Sequence, residues 1–291
     1  MERVDFARQH NSLIPQRPPS IAVLRFGEVV IEILTGQGLS ELFPGAAAAL
    51  PDLERYAAEA EERPEVREWI ERAMSTRPQG MLSEDWASEK FPPEETNDFP
   101  WGEWDVLEEV TDNILNFVLE GHVPELEKRS ENLSRDFHSG MIPCWPLGGE
   151  TIKTYNAGAM VKVVKRTQKR IVCTYHATLR SPFSPKDNIA QEISRMVSGI
   201  TRLNRYPLRN GGPDAAERYI ELVSVALHGQ YMHFSRLQIP TALFSAHKRL
   251  PKQPTVPLRF FCSKEFDIST TSGRQLANQY LLAIIYYNGN V

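Results

Sequence analysis

The chain of 291 residues is 41% hydrophobic and 9% aromatic, a composition that excludes wholesale disorder. Residues 1–150 hold 30 of the 37 acidic and 13 of the 33 basic side chains, so their net charge is −17, whereas residues 151–291 carry +13. No apolar run approaches the roughly 18 residues that cross a bilayer, and three cysteines, odd in number and far apart, disfavour a disulfide framework. We expect an intracellular protein that is neither secreted nor bound to a membrane.

The acidic region, 1–150, opens with patterns typical of helices. After a proline-rich lead, apolar residues at spacings of three and four predict a helix that follows Ser20 and ends at Gly36. A second predicted helix follows Pro51-Asp52. Its predicted buried face consists of Leu53, Tyr56, Ala57 and Ala60, and its glutamates, Glu61 among them, are expected on the opposite face.

The rest of the acidic region contains one irregular stretch and one strong helix. Residues 75–103 are rich in Ser, Pro, Glu and Asp and predict a long loop. From Trp104 to Leu119 the helical period returns, and Gly121 is expected to end that helix. The acidic region is therefore predicted to be mostly helical.

The basic region, 151–291, is predicted to contain a β-hairpin and about three helices. Runs rich in Val, Ile and Thr over 159–164 and 171–178 flank a polar connection, which is typical of a hairpin. The other predicted elements are, in chain order, helices over 189–203 and 214–234, a buried strand over 258–262 and a core helix over 273–287. The chain is thus predicted to be a mainly helical α+β protein.

The histidines give little support for a metal site. The only close pair, His228 and His233, is five residues apart, so on the predicted helix the two side chains would diverge by about 140°. Gly-x-Ser-x-Gly and Gly-Lys-Ser/Thr motifs are also missing from the sequence. We therefore expect no catalytic residue, no metal and no cofactor.

Four carboxylates on the Trp104–Leu119 helix offer an alternative. Asp105, Glu108, Glu109 and Asp112 share one helix face and provide the oxygen ligands that Mg²⁺ prefers. They would suit a Mg²⁺-dependent enzyme of the isoprenoid type. The aspartate-rich signature and the second acidic cluster of that class are missing from the sequence, and a solvated acidic face explains the same residues.

Basic residues cluster at the tip of the predicted hairpin. They are Lys162, Lys165, Arg166, Lys169 and Arg170. Such a cluster can neutralise phosphates, which predicts nonspecific nucleic-acid binding, and it can also serve as a nuclear-import signal. A solvated loop, or a surface that docks on the acidic region, explains the same pattern and is the favoured interpretation.

Four segments of the basic region carry a resemblance to a known family. They are Arg180–Asn188, Leu203–Asn210, His228–Phe234 and Thr270–Arg274. Together they resemble accessory proteins encoded at the mating-type locus of filamentous ascomycetes, in the family named for its Pro-Pro-Phe or His-Pro-Gly domain. The resemblance covers about residues 150–290.

The resemblance implies a non-enzymatic regulatory or interaction protein of fungal mating and sexual development. Fertilisation, fruiting-body formation and ascospore formation are the implied processes, and other mating-type regulators are among the implied protein partners. The resemblance also implies a regulator that lacks the alpha box and the high-mobility-group box, and with this role we expect nuclear or nucleocytoplasmic residence. The Mg²⁺-dependent enzyme and the nonspecific nucleic-acid binder remain the alternatives.

Overall fold

A computed structural model describes more than half of the chain. The described residues are 21–26, 29–64, 101–130, 133–136, 144–147, 150–153, 158–165, 168–178, 189, 192–193, 196, 208–210, 218–228, 230–240 and 257–289.

The centre of the described structure is a mixed β-sheet. Its strands are β1 Ile21–Phe26, β2 Val29–Leu34, β3 Leu133–Asp136, β6 Gly158–Lys165, β7 Gln168–Thr178, β8 Leu208–Asn210, β9 Arg218–His228, β10 Tyr231–Pro240, β11 Leu258–Cys262 and β12 Phe266–Asp267. They are arranged in the order β1-β2-β11-β10-β9-β7-β6-β3, with β8 beside β9 and β12 beside β10. The β2–β11 and β7–β9 pairs are parallel, and the others are antiparallel. A separate hairpin joins β4 Cys144–Leu147 to β5 Glu150–Lys153.

Helices cover one face of this sheet. They are α1 Leu39–Leu42, α2 Ala46–Ala49, α3 Leu53–Glu61, α4 Trp101–Leu119, α5 Pro124–Ser130 and α6 Thr271–Gly289. Ile189, Glu192, Ile193 and Met196 also have helical backbone. Among the helices of the described residues, none is long and apolar enough to cross a membrane. Strands from both the acidic and the basic region of the sequence contribute to the one sheet.

Helix α6 is the core of the layer of helices. Its second half is buried almost all round, so it needs neighbours on every side, and it packs against α2, α3, α4 and α5 as well as the sheet. The Tyr280 ring stacks on Phe234 of β10 with 5.0 Å between centroids. At its first turn, the Gly273 amide donates to Thr270 Oγ1 at 3.1 Å, which is an N-cap.

Several sequence predictions are confirmed. The four apolar residues predicted for the buried face of α3 are all buried. Helix α4 ends before Gly121, whose φ is +85°, although Leu119 at its end is 47% exposed. The hairpin of β6 and β7, strand β11 and the final core helix α6 also lie where the patterns predicted them.

The prediction of a mainly helical fold is wrong. Its first error is the helix expected after Ser20, because residues 21–34 form the hairpin of β1 and β2, in which Phe26 pairs with Val29 across a two-residue connection. Ile31 and Ile33 are buried while Glu32 between them is half-exposed, and this period of two belongs to a strand.

The second error is the helix expected over 214–234. From Arg218 onwards strands β9 and β10 form this stretch and continue to Pro240, and His228 pairs with Tyr231 across a two-residue connection. These strands are central in the sheet and buried on both faces, so buried and exposed residues do not alternate along them. Of the loop expected over 75–103, residues 75–100 lie outside the described part, and residues 101–103 begin α4.

Candidate functional site: a buried histidine and glutamate cluster

The candidate site lies on the face of the sheet that turns away from α6. Along β10 the side chains alternate, so that Met232 and Phe234 pack in the core with α6 whereas His233 and Ser235 point to the opposite face. On that opposite face Ser235 contacts Glu192 and Met196, two residues with helical backbone.

The β9–β10 hairpin brings two histidines together. Because His228 pairs with Tyr231, the next residue on the same face of β10 is His233, the diagonal neighbour of His228. The two imidazole rings stack with 5.0 Å between centroids and 24° between planes. Both residues are only 4% exposed.

Glu192 completes the cluster from the helical segment. It is 1% exposed, and its Oε2 lies 2.7 Å from Nε2 of His233. Its other oxygen, Oε1, accepts a hydrogen bond from the hydroxyl of Ser235. The carboxylate is thus fixed at both oxygens by groups of a single strand.

The electrostatics of the pair favour an ionised carboxylate beside an imidazolium. Burial alone would raise the pKa of Glu192, but the charge and hydrogen bond of His233, the charge of His176 and the Ser235 hydroxyl outweigh it and hold this pKa well below its usual range. Burial would lower the pKa of His233, and the neighbouring Glu192 carboxylate reverses this and raises it. Each group therefore stabilises the charged form of the other.

Two further side chains border the cluster. His176 of β7 pairs with Ala226 of β9 and is 1% exposed, and its Nε2 lies 3.4 Å from Thr174 Oγ1. Cys262 of β11 pairs with Ser235. Burial, together with the Glu192 charge, raises the pKa of this thiol well above its ordinary value, so it stays protonated.

Three of these residues converge as metal ligands would. The ligand atoms of Glu192, His228 and His233 all lie within 4.8 Å of one another, and all three residues are buried. Two imidazoles with one carboxylate form a donor set suited to zinc and to other first-row divalent ions. Within the part of the chain that the structure describes, this is the one group of three such residues that converges in this way.

A second buried polar cluster, on the α6 face, has the character of a structural network. Glu221 accepts from Arg236 at 3.0 Å, from Gln238 at 2.8 Å and from the Tyr287 hydroxyl at 2.6 Å. Arg236 also donates to the backbone carbonyl of Glu41 at 2.9 Å. Because a guanidinium and a carboxylate meet here with several hydrogen bonds, the cluster compensates its own charges.

The acidic face that suggested Mg²⁺ lies on α4. Asp105, Glu108 and Glu109 belong to this helix, but their side chains fall outside the described residues. Asp112 is half-buried beside the buried Thr111. The structure therefore brings no second acidic cluster to this face among the residues it describes.

The basic cluster lies on the β6–β7 hairpin. Lys165 ends β6, Lys169 and Arg170 begin β7, and Arg166 lies outside the described residues. Lys162 occupies mid-strand, and its ammonium donates to the backbone carbonyl of Gly289 at 3.1 Å. The side chain of Lys162 therefore serves the C-terminal end of α6 rather than the hairpin tip.

Sequence reasoning missed the His/Glu cluster because it placed His228 and His233 on a helix. The available signal was their position on both sides of Gly229-Gln230. If these two residues form the connection of a hairpin, two residues five apart in the sequence lie on the same face of the sheet. Glu192 stands between Ile189 and Ile193 on the buried stripe of the predicted helix, and a carboxylate at such a position needs a partner.

Comparison with known proteins adds no relative. The sequence matches no described protein family, and no curated protein matches it.

Proposed function

We propose that this protein is a non-enzymatic regulatory or interaction protein of sexual development in a filamentous ascomycete, acting in the nucleus or between nucleus and cytoplasm. The proposal rests on the resemblance of the four segments of the basic region and not on a family match. Two of the segments, Arg180–Asn188 and most of Leu203–Asn210, lie outside the described residues.

The observation that carries the proposal is how the other two segments are used in the fold. His228–Phe234 forms the end of the β9–β10 hairpin, and Thr270–Arg274 forms the first turn of α6. Gln230 of the first segment contacts the residues just before the second, since the Ile268 amide donates to the Gln230 carbonyl at 3.0 Å and Gln230 Nε2 donates to Asp267 at 3.1 Å. These contacts maintain a scaffold, which suits a protein that acts by binding partners.

The expected partners are proteins, and the acidic surface indicates their charge. Glu54, Glu59 and Glu62 are exposed on or beside α3. Arg55 pairs with Glu59 and Asp52, but the exposed acidic side chains here outnumber the exposed basic ones, so this surface attracts basic molecules. Regulators that bind DNA carry basic surfaces to neutralise phosphates. A DNA-binding mating-type regulator is therefore the kind of partner that this surface fits.

A genetic test addresses the role directly. The gene is deleted in the fungus that encodes it, and crosses are scored for fruiting bodies and ascospores beside vegetative growth. The expected result is normal growth with sterile crosses, restored when the wild-type gene is returned. Fully fertile crosses of the deletion strain would refute the role in sexual development.

A binding test addresses the partner. The full chain is titrated with the alpha-box regulator of the same fungus at low and at high salt. We expect binding that weakens with salt and that falls at least tenfold in the double variant Glu54→Lys, Glu62→Lys, whereas Glu265→Lys, a charge reversal at an exposed site outside α3, leaves it within about twofold. Equal binding by both variants would show that α3 is not the contact surface.

A further inference from the structure

We propose that Glu192, His228 and His233 bind one divalent transition-metal ion of the zinc class. The inference is independent of the regulatory role proposed above, because it concerns a site within the fold and not a partner. The three residues come from two separate elements, a helical segment and the β9–β10 hairpin, and their ligand atoms already lie within 4.8 Å of one another.

Only a small movement separates this arrangement from a coordination sphere. With bonds of about 2.0–2.1 Å and tetrahedral angles, two ligand atoms of one zinc ion lie roughly 3.4 Å apart. Oε2 of Glu192 and Nε2 of His233 are 2.7 Å apart, joined through a proton. Replacing that proton by a metal ion requires them to separate by about 0.7 Å, and ligand atoms as far apart as 4.8 Å must approach by up to about 1.4 Å.

The surroundings of the carboxylate match those of metal ligands elsewhere. Ser235 donates to Oε1 of Glu192 and so leaves Oε2 for the ion, as the outer hydrogen bonds of ligating carboxylates do. Two imidazoles disfavour Mg²⁺ and Ca²⁺, which prefer oxygen ligands, and favour zinc, cobalt or iron. Burial of all three residues supplies the low dielectric in which a carboxylate binds a cation strongly.

The position of the site near a strand end gives the ion a route inward. His228 is the last residue of β9, and the neighbouring Gln230 and Tyr231 are half-buried rather than enclosed. Once bound, the ion would tie Glu192 of the helical segment to the hairpin. An ion that binds only the folded chain stabilises it, so the expected role is structural.

The test uses the full chain, stripped of metal with a chelator and dialysed. Co²⁺ is titrated first because its visible absorption reports ligand geometry. The expected result is saturation at one Co²⁺ per chain, displacement by Zn²⁺ and no competition from Mg²⁺, together with a rise in Tm of about 5 °C or more at a hundredfold excess of Zn²⁺ over Kd. Saturation at less than a tenth of an equivalent, or no visible bands, would overturn the proposal.

Matched variants locate the ion. Glu192→Gln and His228→Asn are expected to weaken Co²⁺ binding at least tenfold, while His122→Asn, at an exposed histidine stacked on Phe117, leaves it unchanged. Circular dichroism of each metal-free variant shows whether it is folded. If a folded Glu192→Gln or His228→Asn chain binds Co²⁺ as tightly as wild type, the ion lies elsewhere and the proposal fails. Were His228→Asn to be unfolded, the folded Glu192→Gln chain would decide alone.

Discussion

Arg274 of α6 and Glu61 of α3 lie 213 residues apart in the sequence and form an ion pair, with 2.7 Å between Nη2 and Oε1. Glu61 is 2% exposed. Arg274 also donates to the backbone carbonyls of Ile268 and Ser269, so one guanidinium connects the acidic region to the strand end that precedes α6. A contact between the two oppositely charged regions is therefore part of the folded core.

Removing one partner of this pair is expected to destabilise the protein strongly. Glu61→Ala leaves the guanidinium of Arg274 without its carboxylate, and the expected loss is about 3 kcal/mol in the free energy of unfolding. Urea denaturation followed by circular dichroism measures it. Arg55→Ala is the control, since it breaks exposed pairs with Asp52 and Glu59 and an exposed contact of the guanidinium with the Tyr56 ring, and its expected loss is much smaller. Equal stability of the two variants would contradict the expected contribution of the buried pair of Glu61 and Arg274 to the stability of the fold.

Gly273 marks a close approach of backbone to backbone. A Cβ at this position would stand 1.8 Å from the carbonyl oxygen of Asp267, so the first turn of α6 or the end of β12 would have to move. We expect Gly273→Ala to cost at least about 2 kcal/mol. Gly38→Ala is the matched control, since its Cβ would meet only the mobile carboxylate of Glu41, and its expected cost is below about 1 kcal/mol. Thermal unfolding of both variants checks the difference, and a tolerated Gly273→Ala would disprove the close packing.

Alkaline pH is expected to destabilise the protein through Tyr280. Burial, with the negative charge of Glu41 adding to it, raises the pKa of Tyr280 to about 12. The unfolded chain ionises this phenol near pH 10, so stability is complete below that pH and falls as the pH rises towards 12. Tyr280→Phe keeps the stacking on Phe234 but has no phenol to ionise. The stability advantage of wild type over Tyr280→Phe should therefore shrink between pH 10 and 12, as urea unfolding at a series of pH values would show, and a constant difference would contradict it.

Lys162 is expected to contribute to the folded state and not only to the basic cluster. Its ammonium donates to the Gly289 carbonyl at the C-terminal end of α6, where the helix dipole is negative. Lys162→Met keeps most of the apolar stem but removes the charge, and should cost about 0.3–1 kcal/mol, whereas Lys162→Arg retains most of the stability. Chemical denaturation of both variants tests this. If the Lys162→Met chain were as stable as the wild type, the contact of Lys162 with the end of α6 would not contribute to stability.

The sequence predicts the elements whose patterns are local. Helices α3 and α4 follow from apolar residues at spacings of three and four, most of which are buried in the structure. Strand β11 and the β6–β7 hairpin follow from β-branched residues and a polar connection. These features depend on short stretches of chain alone.

The central strands could not be recognised in the same way. In β9, every residue from Glu221 to His228 is buried, so polar and apolar positions do not alternate. Because most residues of such a stretch are apolar, apolar residues three and four apart occur by chance, and this spacing resembles the pattern of a helix. With His228 and His233 assigned to that helix, their side chains diverge, and the cluster with Glu192 is lost. The cluster forms only when the hairpin register is set and when Glu192, 41 residues before His233, packs against the hairpin. Both conditions depend on the tertiary structure and not on a local pattern.

The most direct test of the central claim is an anomalous diffraction measurement at the zinc absorption edge on crystals of the full chain grown with Zn²⁺. We expect one strong peak, the zinc ion, bonded to Oε2 of Glu192 and to one ring nitrogen each of His228 and His233, with bonds of about 2.0–2.2 Å. Crystals without a peak at this cluster, or with the 2.7 Å contact of Glu192 and His233 intact beside zinc bound elsewhere, would contradict it.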